Sequence, residues 1–356
     1  MYVVQELSSC FEHLTQCHKI KTTCAILILW ILHRFLVDTS FGTNITFVRP
    51  AYFIISAFSG FPDIKYYYVF LFLLYIVSVL GNTVVMVIIC VDHTLRTPKY
   101  IAVFNLAFVD LFEGTALLPK VLDIFLFDHP YISYNDCFTL LFFYYTCIVM
   151  QSFNLVALSY DRLIAIIFPL HYHVKVTHRF MFSLIASFWL YAITFAVIAV
   201  GLLTRHSYCN SVVINSYFCD YGQIYRLACD DKTRSIIVSI LSTVLNLWLP
   251  LVFIVFTYLY IGYALTKVAT VHERVKAFKT CTAHLSLVAV FFLPVIIASN
   301  SMGNLNPNAR IINLSLTSVF PPTLNPIIYV LQTQEIKESV KKLFKIRRQS
   351  KIAVHV

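Results

Sequence analysis

FTLLFFYYTCIVMQSFNLVALSY, Phe138–Tyr160, runs directly into DRLIAIIFPLHYH, Asp161–His173. From Phe138 to about Phe168 the only charges are Asp161 and Arg162, near the far end, and Cys137 stands just ahead of the near end. A helix of about 29 residues, rising about 1.5 Å per residue, is about 43 Å long. That outreaches a hydrocarbon core of roughly 30 Å. Such a helix links a cysteine at one membrane face to an Asp-Arg pair at the other. A charged pair beside a span is costly unless it sits at the interface or neighbouring helices satisfy it. Two roles fit: an interfacial arginine that sets topology, or a switch held and released as neighbouring helices move.

Composition agrees with a membrane setting. Hydrophobic residues make up 59% of the chain and charged ones 12%, which argues against a soluble globular class. The 31 Phe and 22 Tyr suit interfacial aromatic belts. A net charge of +10 would fit nucleic acid, but the Lys and Arg residues lie in short loops and the tail, which points to membrane orientation instead. Ten cysteines without a CxxC pair argue against a zinc ribbon or a thioredoxin-type site, and no metal or cofactor is expected.

Seven apolar segments follow in order, at about 66–90, 99–126, 138–166, 180–203, 236–264, 279–299 and 310–331. The expected fold is an all-α membrane protein, a seven-transmembrane helix bundle. Residues 1–43 form an N-terminal extension, a leader or a misassigned start, because CAILILWIL is too short to span and is followed by His33-Arg34. Residues 44–331 form the seven-helix domain and 332–356 the tail. After residue 43, sixteen Lys and Arg fall on one side of the spans and eight on the other. The richer side is assigned to the cytoplasm, leaving the N-terminus and the Asn44-Ile45-Thr46 sequon outside. The tail from Thr333 to Lys345 reads as an amphipathic helix, with Ile336, Val340, Leu343 and Phe344 opposite its lysines, lying along the inner leaflet. Cys137, Cys209, Cys219 and Cys229 all face the oxidising side, where three pairings are open. Cys90, Cys147 and Cys281 are expected as free thiols.

Several stretches resemble one family, the odorant receptors among rhodopsin-like G-protein-coupled receptors. LRTPKYIAVFNLAFVDL is similar to the family's LHxPMYxFLxxLSxxD, and LSYDRLIAIIFPLHY to MAYDRYVAICxPLxY. YFCDYGQIYRLACDD resembles FFCDxxxLxxLACxD, KAFKTCTAHL resembles KAFSTCxSHL, and PPTLNPIIY resembles PxLNPxIY. FFLP ending at Pro294, with TQEIKESVKKLF, looks more like the fish-type members. The last span lacks a lysine, which excludes a retinal-binding opsin. Gln151 stands where the family has an acid, which weakens any cation site near Asp110.

The resemblance implies the disulfides Cys137–Cys219 and Cys209–Cys229, the first pinning the outer loop as a lid. It implies a polar network of Asn82, Asp110, Asn154 and Asn325. It also implies a switch for G-protein coupling built from Asp161, Arg162, Tyr258, His284, Asn325, Pro326 and Tyr329. A ligand cavity is expected in the outer half of the bundle. Tyr144, Tyr145, Ile148 and Val149 share one broad face of the third helix, with Tyr221, Ser242, Asn246, Ser299 and Ser315 facing them. No acid stands at Tyr144, which disfavours an amine and suits a small neutral or weakly polar molecule. The implied function is an odorant receptor at the plasma membrane, in cilia of olfactory sensory neurons. Its implied partners are a small-molecule odorant, a heterotrimeric G-protein of the stimulatory olfactory type and membrane lipid, not nucleic acid. A receptor of the same superfamily used outside olfaction is the alternative. A transporter or channel is less favoured because no repeat is found. An enzyme is disfavoured because His171 and His173 have no matching cluster.

Overall fold

The computed structural model describes residues 48–56, 64–127, 129–209, 211–266, 271–300 and 306–342. Asn44 and the extension 1–43 lie outside the described residues. Among the described residues, seven helices are long and apolar enough to cross a membrane. They are α1 (Ile64–Val91), α2 (Pro98–Leu126), α3 (Tyr134–Ile167), α4 (His178–Leu203), α5 (Thr233–Thr266, in three consecutive helical pieces), α6 (Val271–Asn300) and α7 (Pro307–Gln332). Their limits extend those read from hydropathy because capping residues and interfacial polar residues add turns that apolar counting leaves out. Ser133 accepts from Asp136 N at 3.1 Å, so α3 begins four residues before Phe138 and runs 34 residues. Thr177 caps α4 through Phe180 N at 3.1 Å. Pro98 and Pro307 open α2 and α7, where a missing N–H costs nothing.

The helix α3 is the most buried of the seven and packs against α2, α4, α5 and α6, while α7 closes the bundle onto α1 and α2. The outward faces of α1 and α5 carry Phe70, Leu80, Phe256 and Leu259, all exposed, as a lipid-facing surface requires. In α5 the segment Thr243–Trp248 is a π-helical turn just before Pro250. Pro250 has no N–H for the carbonyl of Asn246, and Ser152 Oγ of α3 donates to that carbonyl at 2.9 Å.

No local sequence pattern announces the small sheet that caps the Cys137 end. Strands β1 (Tyr52–Ile55), β2 (Tyr131–Ser133) and β3 (Val213–Ile214) form it in the order β2-β1-β3. The strand β1 runs antiparallel to β2, with Phe53 opposite Ile132, and parallel to β3, with Ile54 opposite Val213. Phe53 is wholly buried among the rings of Tyr134, Phe138 and Tyr208, with centroids 6.0, 6.3 and 5.6 Å away. Cys137 is bonded to Cys219 and Cys209 to Cys229, with Cα separations of 5.6 and 6.0 Å. The first bond ties the loop between α4 and α5 to the start of α3. Cys90, Cys147 and Cys281 are buried and take no part in these disulfides.

The tail helix α8, residues 334–342, folds back on the bundle. Ile336 is fully buried and Val340 packs against the same core as α1, α2 and α3, so these two apolar residues meet protein rather than lipid. Leu343 and Phe344 lie outside the described residues. Glu335 accepts from Lys99 Nζ at 3.1 Å and Tyr100 Oη at 3.0 Å, and Asp92 accepts from Ser339 Oγ at 2.6 Å. Burial raises the Glu335 carboxyl, but Lys99 and Tyr100 outweigh it and hold it below its ordinary range. The Ser339 and Thr94 hydroxyls hold Asp92 down to about 2.

Candidate functional site

A cavity of about 410 Å³ opens beneath the loop that follows α4. Tyr144, Tyr145, Ile148 and Val149 form its α3 wall, and Ser242, Asn246 and Ser299 face them from α5 and α6. Tyr221 closes it from a short helix, Tyr221–Leu227, that the Cys137–Cys219 bond holds over the bundle. Burial pushes the Tyr221 phenol up to about 12. Most of the lining is apolar, including Phe195, Phe218 and Phe291. Two charged residues join it: Asp220, next to the lid cysteine, and Arg310, in the first turn of α7, are hydrogen-bonded to each other and both buried.

Ser315 does not border this cavity. Its hydroxyl lies 2.5 Å from Tyr67 Oη on α1, because the face of α7 that carries it packs against α1. Asn246 borders it, but its amide is engaged by the scaffold: Tyr191 Oη donates to its Oδ1 at 2.9 Å and its Nδ2 donates to Ser242 Oγ at 3.2 Å.

Below the cavity, Asp110 accepts from Asn325 Nδ2 at 2.7 Å and from Gln151 Nε2 at 2.9 Å. Gln151 Nε2 also donates to Glu113 at 2.7 Å, so one amide bridges two buried carboxylates. The expected single network is instead divided. Asn82 donates to the carbonyl of Pro322 at 2.8 Å and to Ser78. Asn154 accepts from Asn105 at 2.9 Å, and Asn105 accepts from Trp189 Nε1 at 2.9 Å. Each group finds the partner its own helix faces: Asn82 meets α7, Asp110 meets α3 and α7, and Asn154 meets α2.

At the far end of α3, Asp161 is buried and accepts from Tyr172 Oη at 2.6 Å. Among the described residues it makes no ion pair with Arg162, because successive residues of a helix point to different faces. Tyr258 and His284 stack with centroids 5.6 Å apart and share a 2.7 Å hydrogen bond between Oη and Nδ1. Tyr329 is buried and its hydroxyl has no hydrogen-bond partner among the described residues. Pro326 meets Gly81, where an added Cβ would lie 2.7 Å from its ring.

The olfactory receptor family profile matches residues 71–347. Olfactory receptor 1E16 of Mus musculus is 34% identical over 280 residues, covering 78% of this chain and 89% of that protein. Olfactory receptor 52K1 of Homo sapiens is 32% identical over 313 residues, covering 85% and 98%. The chain belongs to the olfactory receptor family. The receptor is thus a multi-pass membrane protein of a signalling family and not an enzyme. The crystal structure of squid rhodopsin superposes with a TM-score of 0.65 at 20% identity, covering 81% of the receptor and 87% of that chain, a likeness of fold.

Sequence reasoning missed three of the receptor's buried charges. Glu113 stands three residues after Asp110, a spacing that puts both carboxyls on one helix face; that signal was present. Arg310 opens the seventh apolar segment and belongs to the eight Lys and Arg of the poorer side, yet α7 starts at Pro307 and takes it inside. Asp220 lies in YFCDYGQIYRLACDD, a pattern that assigns it no role, and only the fold brings it to Arg310.

Proposed function

We propose that this receptor binds a small odorant in the cavity beneath the lid and passes the signal along α3 to a heterotrimeric G-protein at the Arg162 end. The observation that carries this reading is the position of both regions on one helix: Tyr144 and Tyr145 border the cavity, and Arg162 stands near the other end. In this reading the disulfide end is extracellular, as the Lys and Arg count supports, and the G-protein is of the stimulatory olfactory type. Ligand binding favours a minor active conformer through its differential affinity. The Tyr258–His284 bond and the unpartnered Tyr329 hydroxyl are the groups that repack as α6 moves. Residence in olfactory cilia, with fish-type ligand preference, is the finer form of the same proposal, supported by the Phe291–Pro294 and tail motifs.

The test is a cAMP assay in cells that also express a stimulatory olfactory G-protein, with an N-terminal tag to verify surface delivery. A panel of amino acids, bile acids, steroids and small volatiles is expected to give a dose-dependent response that Arg162→Ala abolishes. An unchanged response in Arg162→Ala at equal surface density would remove Arg162 from the mechanism. Silence across the panel at full surface density would count against an olfactory ligand.

A further inference from the structure

The Asp220–Arg310 pair is the polar cap of an otherwise apolar cavity. Asp220 is 5% exposed and Arg310 7%, so both charges have left water and each depends on the other. The carboxylate is engaged at both oxygens: Oδ1 accepts from Gly222 N at 3.2 Å and Oδ2 accepts from Arg310 Nη2. The guanidinium is not so engaged. It has five N–H donors, yet among the described residues Asp220 is its side chain's hydrogen-bond partner, and its Nε is buried with none. Beside it Tyr145 borders the same cavity, its ring 5.9 Å from that of Tyr221, and its hydroxyl has no hydrogen-bond partner among the described residues. The cap therefore holds surplus donors and a balanced charge.

We propose that Arg310, held by Asp220 and assisted by Tyr145, is the anchor of the ligand site and selects neutral ligands that carry a hydrogen-bond-accepting oxygen, chiefly ketones, aldehydes and esters, on an apolar body. This rests on the cavity being the odorant site.

Charge decides between the ligand classes. A carbonyl oxygen takes a spare guanidinium donor and leaves the ion pair intact. A carboxylate would bring a second anion beside Asp220, and like charges at such a distance oppose each other. An ammonium would compete with Arg310 for Asp220 and leave the guanidinium buried without a counter-charge, which is costly. A hydrocarbon of the same shape fills the apolar space and leaves the surplus donors unmet.

The experiment measures binding to the purified full-length receptor by ligand-induced thermal stabilisation, with cAMP response as a second readout. Its probes are matched sets of methyl ketone, carboxylic acid, primary amine and hydrocarbon, each built on cyclohexyl, phenyl and octyl skeletons. In wild type, the ketone is expected to bind tightest in every set that binds. The paired variant Asp220→Asn/Arg310→Gln removes both charges together, so neither is left buried alone. It is expected to lose the ketone's advantage, about tenfold or more in affinity, the scale of one hydrogen bond to a charged donor. Asp220→Asn alone frees the guanidinium's charge and is expected to shift the preference towards the acid. Unfolding temperatures measured without probe show that each variant is folded.

An acid or amine ranking first in wild type overturns the proposal. So does a ketone advantage that survives in the paired variant. If probes bind but the ketone gains nothing over the hydrocarbon, the anchor is wrong and the cavity stands as the ligand site. If no probe binds folded wild type, both the anchor and the cavity reading fall.

Discussion

Asn82 Nδ2 of α1 lies 2.8 Å from the carbonyl oxygen of Pro322 in α7, the carbonyl that Pro326 leaves without an intrahelical donor. A proline inside a helix removes the bond to the residue four before it, and in a membrane a freed carbonyl must find a partner within the bundle. The neighbouring Gly81 is what allows the approach, since any side chain there would strike the Pro326 ring. The same solution recurs where Ser152 reaches the carbonyl of Asn246 four residues before Pro250.

Removing that donor should therefore cost about 1–3 kcal/mol, the penalty for a buried unsatisfied acceptor. Asn82→Leu is expected to lower the unfolding temperature of purified receptor, and Gly81→Val to lower it as well by forcing α1 and α7 apart. Unfolding temperatures equal to wild type in both would show that the α1–α7 contact adapts freely.

The two disulfides differ in the chain they enclose, with sequence separations of 82 and 20 residues. In the loop-entropy account, losing Cys137–Cys219 should cost about 1 kcal/mol more than losing Cys209–Cys229. Paired Cys→Ser variants compared by chemical denaturation check the order. A larger loss from the shorter loop would point to native contacts rather than chain entropy.

Gln151 bridges Asp110 and Glu113 with a single amide nitrogen. Gln151→Leu should lower surface expression sharply, since it strips a donor from two buried carboxylates at about 1–3 kcal/mol each. Glu113→Gln, which keeps size and polarity, should be tolerated far better. Equal expression of the two variants would separate the bridge from folding.

Tyr258 and His284 share a 2.7 Å bond across α5 and α6. Tyr258→Phe and His284→Phe should each change basal cAMP, and the double variant should resemble either single one rather than their sum. A coupling energy above about 0.5 kcal/mol in the double-mutant cycle is the expected result; strict additivity would mean the two act independently.

The docking of α8 should survive acid further than an ordinary aspartate would allow. Asp92 is held at about 2 by Ser339 and Thr94, against roughly 3.9 when unfolded. A depressed folded value gives stability that is present above the unfolded value and lost as pH falls through the folded one. A fluorophore on the tail should report docking that weakens as pH falls from about 4 to about 2 in wild type, whereas Ser339→Ala should dock more weakly already at neutral pH and lose most of that acid-dependent step. Coincident curves would exclude the Asp92–Ser339 bond as the latch.

The sequence by itself determined the seven spans, the central role of the helix that begins near Cys137, and the part of the cavity wall that this helix supplies. Those features follow from local chemistry: apolar runs long enough for the membrane, and a helical period that puts Tyr144, Ile148 and Val149 on one face. Only the tertiary structure decided which helix each polar group meets. Ser315 turns to Tyr67 and Asn154 to Asn105, and Asp161 is held by Tyr172. The sheet over the Cys137 end joins strands about eighty and one hundred and sixty residues apart in the chain, for which no local pattern exists. Asp220 and Arg310 are 90 residues apart and become partners because α7 closes on the lid loop. Buried polar groups must be satisfied inside the bundle, and several arrangements of the same helices would satisfy them. Packing of side-chain volume selects one of these, and that selection is a property of all seven helices together.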